Sequence, residues 1–246
     1  MKAPAKLTLN LRVTGVRNDG FHLIDAEMVS LDIADDITIK ECNGPSSLTI
    51  DGPFSDGLTN DASNLVLRAL SLVQRNAHVH LTKNIPHGGG LGGGSTDAAA
   101  VLRWASFTDL NAASQLGADI PFCIHGGRAR VEGIGEVLTP LPFEPLDITL
   151  VIPPFGVSTP KVYATWDALD GPRGNEGPHG LNHLEPAALV WTVLASQWAS
   201  SVPAATCRNS GFLATQSMGS RGDSATDEDE GRVSKSMWVK YRSRLN

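Results

Sequence analysis

The chain has 246 residues, 41% of them hydrophobic, enough to bury a substantial core and to favour two domains over one. A formal charge of -6 provides no basic face for a general nucleic-acid or membrane-surface binder, so a small-molecule partner is expected. Cys42, Cys123 and Cys207 are odd in number and far apart, without the paired spacing of a zinc site, and read as thiols of a reducing compartment. Met1-Lys2-Ala3-Pro4 opens no secretory leader, and no apolar run approaches the ~20 residues of a membrane span, so the expected location is the cytoplasm.

In chain order, Lys6-Leu7-Thr8-Leu9-Asn10-Leu11-Arg12-Val13 alternates polar and apolar residues with the period of a half-buried strand. Leu7, Leu9, Leu11 and Val13 form the core face, while Lys6, Thr8, Asn10 and Arg12 form a polar row available to a ligand or to solvent. Asn18-Asp19-Gly20 is a turn signal, and Phe21 to Val29 returns beside the first strand. Short strands follow at 37–40 and 48–50. From Asn64 the period changes: Leu65, Ala69, Leu72 and Val73 share a helical stripe, with Ser63 or Asn64 as its cap. His78 to Leu81 is again a strand.

Gly88-Gly89-Gly90-Leu91-Gly92-Gly93-Gly94-Ser95-Thr96-Asp97 then runs into a helix reaching Trp104. Six glycines strip away side chains that would block the backbone, and the free N–H groups of a first helical turn point at an anion, for which a phosphate chain is the natural guest. A P-loop would place a lysine after its last glycine; none follows here, so backbone amides would hold the phosphates without that cation. Gly88, Gly90 and Gly93 satisfy G-x-G-x-x-G, but Lys83 to His87 separate them from the preceding strand, whereas a dinucleotide fold needs a tight strand-to-helix turn. A flexible spacer is the remaining alternative, set against ordered-looking segments on both sides. Further on, Asp119 caps a short helix in Leu116 to Phe122, Ala129 to Leu138 is a glycine-punctuated strand, and the prolines of 141–145 connect to a new strand at 148–152.

Pro4-Ala5-Lys6-Leu7, the Gly20-Phe21-His22 turn, the Pro86 to Ala99 loop and Leu116-Gly117-Ala118-Asp119-Ile120-Pro121, taken in this order and spacing, resemble the GHMP small-molecule kinases over residues 3 to 190. The resemblance implies a two-domain α/β (α+β) fold. Its N-terminal, ribosomal-S5-domain-2-like domain would be nucleotide-binding and span 1–143, and a partial, smaller C-terminal α/β domain would span 144–194. It implies ATP in a syn-type pocket formed by Pro86, His87, Gly88, Gly89, Gly90, Leu91, Gly92, Gly93, Gly94, Ser95 and Thr96, with Asn64 nearby. Magnesium is implied too, with the hydroxyl of Ser95 or Thr96 as its ligand, although either could serve as a helix cap.

By the same resemblance Lys6 and Asp119 are the catalytic pair, Asp119 accepting the substrate hydroxyl proton and Lys6 offsetting charge on the transferring phosphoryl group. Thr8, Phe21 and His22 fall where the family holds its substrate, the last two at a cytosine ring, so the implied acceptor is the 2-hydroxyl of a cytidylyl-bearing alcohol of non-mevalonate isoprenoid synthesis. Homoserine, mevalonate or another small alcohol is the alternative acceptor, and nucleotide binding without turnover the alternative role. A monomer or homodimer is expected.

This sequence departs from the family at Thr8, where asparagine is usual, at Phe21, where tyrosine is usual, and at His183 of Asn182-His183-Leu184-Glu185, where aspartate is usual. A third glycine motif, G-S-G-[ST], is missing between Trp191 and Asn246; Ser210-Gly211-Phe212 and Met218 to Gly222 are poor substitutes. Residues 195–246 read as a divergent, disordered tail with an acidic run at 227–230, or as the product of a reading-frame change.

Overall fold

The computed structural model describes residues 1–86, 89–144, 147–152, 158–171, 182–190, 206–209, 212–216 and 237–242. Two long strands, β1 (Lys2–Val16) and β2 (His22–Glu41), form an antiparallel hairpin closed at Asn18-Asp19-Gly20, where Gly20 takes the positive φ such turns require. The extended stretches expected at 21–29 and 37–40 are one continuous strand. Its first half pairs with β5 (Arg128–Gly133), and its second half with β4 (Ala77–Thr82), on the same edge. The parallel strand β3 (Ser47–Asp51) and the hairpin strand β6 (Val137–Pro140) complete a six-stranded sheet. The single strand expected at 129–138 is therefore two. Gly133 and Gly135, both at positive φ, turn the chain between them.

The polar row on β1 does not stay on one face. Register shifts between Pro4 and Lys6 and between Thr8 and Asn10 interrupt the alternation. Ala5 and Leu7 consequently face one core, with Leu31, Ile85 and Leu91, while Leu11 and Val13 face the other. Lys6 and Thr8 are buried and Arg12 is exposed, so the expected ligand-facing row of four divides. A one-residue bulge exchanges the faces of everything beyond it, which no alternation pattern discloses.

Four helices cover one side of this sheet: α1 (Leu65–Leu72), α2 (Gly93–Trp104), α3 (Leu110–Leu116) and α4 (Ile120–His125). Asn64 caps α1, its Oδ1 accepting the Val66 N–H at 2.9 Å. Ala98, Ala99, Ala100, Val101 and Leu102 are wholly buried, so α2 is the central helix of the larger core.

The chain then passes into β7 (Asp147–Ile152), α5 (Thr159–Ala168) and α6 (Glu185–Val190). A second sheet has the order β10-β7-β9-β8, with β8 at Thr206–Asn209, β9 at Phe212–Gln216 and β10 at Met237–Arg242. Part of the stretch expected to be a disordered tail thus supplies both strands flanking β7. At 4, 5 and 6 residues these strands are too short to display the strand period clearly. Ile148 and Leu150 of β7 share a core with Ala5, Leu7, Val29, Leu31 and Ile33, which joins the second sheet to the first. Among the described residues no helix is long and apolar enough to cross a membrane.

Candidate active site

The glycine turn is docked on β1 by a backbone bond from Lys6 N–H to Leu91 O at 3.0 Å. Leu91 itself is buried in the smaller core, which anchors the middle of the turn. Gly92 follows in the left-handed region at φ 68 and is the N-cap of α2, with no side chain capping the helix. A Cβ at Gly92 would lie 2.7 Å from Cγ of Lys6. The absence of a side chain at this position is what lets the lysine stem run along the turn.

Lys6 carries its ammonium to Oδ2 of Asp119, 3.1 Å away, and donates to Thr8 Oγ1 at 3.3 Å. The pair is asymmetric: the Lys6 side chain is 8% exposed and that of Asp119 31%, so the carboxylate is the more accessible member. Asp119 occupies the N-cap position of α4, as expected, but its side chain makes no capping bond. Lys6 has captured it instead. The segment carrying Asp119 is itself pinned from behind, because a Cβ on Gly135 would lie 2.0 Å from the Ala118 carbonyl oxygen.

Between the turn, α1 and the start of α5 lies a cavity of about 320 Å³. Asn64, Pro86 and the glycines at 89, 90, 92, 93 and 94, with Leu91, line it, so most of the residues expected to hold nucleotide are brought together. His87 and Gly88 lie outside the described residues. Leu58, Leu65, Leu81 and Ile85 add an apolar wall that suits the flat face of a base. Asn64 both caps α1 and borders the cavity, its amide donating to Thr59 O at 2.7 Å.

Thr96 does not serve as expected. Its side chain is fully buried and its hydroxyl donates to Pro4 O at 2.7 Å, locking α2 onto β1. That leaves Ser95, half-buried, with its Oγ 4.0 Å from the Cβ position of Gly117 and so beside the segment that carries Asp119.

Of the aromatic turn, only His22 enters a cluster among the described residues. Phe21 is 48% exposed, with the Arg17 guanidinium 5.8 Å from its ring. His22 bonds Asp167 Oδ1 through Nε2 at 2.7 Å, and its ring centroid lies 4.6 Å from Tyr163 and 5.5 Å from Trp166. Burial, and then the nearby Asp119 carboxylate, hold the Tyr163 phenol above its ordinary range. Tyr163, Trp166 and Asp167 were not singled out in the sequence. The signal available was an aromatic pair at helical spacing in Thr159 to Ala168.

His183, which departs from the family pattern, has a structural task. Its Nδ1 accepts the Val13 N–H at 3.1 Å and its own N–H donates to Leu11 O at 3.0 Å, zipping the segment onto β1. Lys83 was also overlooked. It precedes the glycines, lines the cavity, and donates to Asp35 and to Asp97 Oδ2.

The family described as "GHMP kinases N terminal domain" matches residues 64–127, the stretch from the cap of α1 through α4. A 4-diphosphocytidyl-2-C-methyl-D-erythritol kinase of Paracoccus denitrificans is 48% identical over 171 residues, 69% of this chain and 62% of that protein. One from Clostridium botulinum is 37% identical over 195 residues, covering 72% of this chain and 69% of that one. The chain spans between 58% and 69% of the length of the curated relatives it matches. A crystal structure titled 4-(cytidine 5'-diphospho)-2C-methyl-D-erythritol kinase superposes with a TM-score of 0.67 at 30% identity, covering 89% of this chain and 90% of the other.

Proposed function

The chain belongs to the GHMP kinases, and from that premise we propose that it transfers the γ-phosphoryl group of ATP to the 2-hydroxyl of 4-diphosphocytidyl-2-C-methyl-D-erythritol. The observation that carries this reading is the Lys6–Asp119 pair, 3.1 Å apart, with the lysine stem lying against Gly92 of the glycine turn. Strand β1 contributes the cation and the entry to α4 the carboxylate, so the pair exists only in the folded chain.

Phosphoryl transfer needs little covalent chemistry from a protein, and positioning with charge stabilisation supplies most of the acceleration. Asp119 is the general base: its partly exposed carboxylate takes the proton of the acceptor hydroxyl as the oxygen attacks phosphorus. Lys6, steadied by Thr8, donates to the transferring group, whose negative charge is spread over its equatorial oxygens. The uncapped amides of the first turn of α2 hold the remaining phosphate oxygens. Apolar residues of the cavity wall take the base, and Asn64 offers it a polar edge.

No group of three His, Cys, Asp or Glu side chains is gathered for a metal among the described residues. A magnesium ion would therefore be held chiefly by phosphate oxygens, as that ion prefers, with the Ser95 hydroxyl as its protein ligand. When bound it supplies charge neutralisation on the β- and γ-phosphates.

His22 and Tyr163 would form the platform for the cytosine ring, with Trp166 edge-on to His22. An ADP-release assay comparing 4-diphosphocytidyl-2-C-methyl-D-erythritol with homoserine and mevalonate tests the proposal. Release is expected with the first alone. Release with either of the others, or ATP binding with none, would replace this reading.

A further inference from the structure

Beneath the glycine turn lies a buried charge cluster to which the transfer step assigns no task. Lys83 and Asp97 are 2% exposed and Asp35 is wholly buried. Lys83 Nζ donates to Asp35 and, at 2.6 Å, to Asp97 Oδ2. Asp35 Oδ1 also accepts the backbone N–H groups of Asn84 at 2.5 Å and Ile85 at 2.8 Å, immediately ahead of the turn. Asp97 stands on α2, immediately after it. The ammonium lies 3.2 Å from the Cβ position of Gly93, under the first residue of the helix. The cluster therefore ties the entry and the exit of the turn to β2.

Stability alone does not account for such an arrangement, since buried charges lose hydration that apolar residues of the same volume would not. Asp97 Oδ1 has no hydrogen-bond partner among the described residues although it is enclosed, and both Asp97 and Lys83 border the cavity. Burial raises the Asp97 carboxyl to about 7, against the pull of Lys83, as expected for a group short of donors.

We propose that Lys83, held between Asp35 and Asp97, is a positioning residue that fixes the spacing of the two ends of the glycine turn and thereby its grip on the β- and γ-phosphates. It is not a phosphate-neutralising cation, because two carboxylates already enclose it. The inference rests on the reading of the cavity as a nucleotide site.

The test is calorimetric titration of the full chain with magnesium ATP and with AMP. A Lys83→Met/Asp97→Asn double variant removes the opposing charges together and leaves Asp35 its two backbone donors, and thermal unfolding checks that it folds. The double variant is expected to bind ATP at least about tenfold more weakly than the wild type, and AMP, which lacks the β- and γ-phosphates, within about twofold. ATP affinity unchanged in the folded double variant would overturn the proposal, as would equal weakening for ATP and AMP, which signals general loosening. Should the double variant fail to fold, Asp97→Asn alone, which keeps an oxygen for Lys83, is expected to weaken ATP about threefold, and unchanged affinity would overturn the proposal. A wild-type chain that binds neither nucleotide overturns the cavity assignment itself.

Discussion

At Gly92 a left-handed backbone and the stem of Lys6 compete for one small volume. With φ at 68 and a Cβ position 2.7 Å from Lys6 Cγ, an alanine here strains the backbone by about 1–2 kcal/mol and pushes the lysine sideways. Displacement of a catalytic group by even ~1 Å costs on the order of 10²-fold. Gly92→Ala is therefore expected to lower the steady-state rate by that order while the thermal midpoint falls only several degrees. A different residue-scale prediction concerns thiols. Burial, and secondarily the Asp119 carboxylate, push the Cys123 thiol up to about 12, so at pH 8 it stays protonated and enclosed. Peptide mapping after brief iodoacetamide treatment of the native chain is expected to find Cys42 alkylated and Cys123 not. At this scale the sequence singled out Lys6 and Asp119 through the short motif each sits in, and the fold brings them to 3.1 Å. Lys83 was not, because its partner Asp35 lies 48 residues earlier and only the fold brings them together.

Helix α2 is aimed by its attachment to β1 as much as by the glycines before it. Thr96 makes that attachment through Pro4 O, and Ser95 stays beside the Asp119 segment, so two adjacent hydroxyls have separable roles. Thr96→Val, nearly isosteric, removes this hydrogen bond from a part-buried carbonyl and is expected to lower stability by about 0.5–1.5 kcal/mol in denaturant unfolding without altering the magnesium requirement. Ser95→Ala is expected to do the reverse, raising the magnesium concentration for half-maximal rate and leaving the unfolding midpoint unchanged. The sequence distinguished neither, since both residues read equally as caps or ligands. Regular elements were legible from period: the α1 stripe, the α2 start and β4 stand as expected. The β1 bulges and the division of β5 from β6 were not, because a bulge or a glycine turn alters pairing without altering composition.

Across the whole molecule, two sheets meet through the core shared by β1, β2 and β7, and α5 brings Tyr163 and Trp166 against His22 at the start of β2. Both neighbours of β7 come from residues beyond 206, where the sequence suggested no order. Truncation after Val190 strips β7 of both partner strands, and the expected outcome is a chain that aggregates or loses cooperative unfolding in calorimetry. With the full chain intact, Tyr163→Ala is expected to raise KM for the cytidylyl substrate about tenfold, through the loss of stacking worth about 1–1.5 kcal/mol, and to leave KM for ATP unchanged. These arrangements converge on one carboxylate and one ammonium, drawn from α4 and β1 to the lip of the glycine turn. The measurement that bears on them most directly is the rate of ADP formation by Asp119→Asn at saturating ATP and 4-diphosphocytidyl-2-C-methyl-D-erythritol. A fall of about 10²–10⁴ relative to the wild type, with ATP affinity within about tenfold, is predicted; a rate equal to that of the wild type would contradict the account.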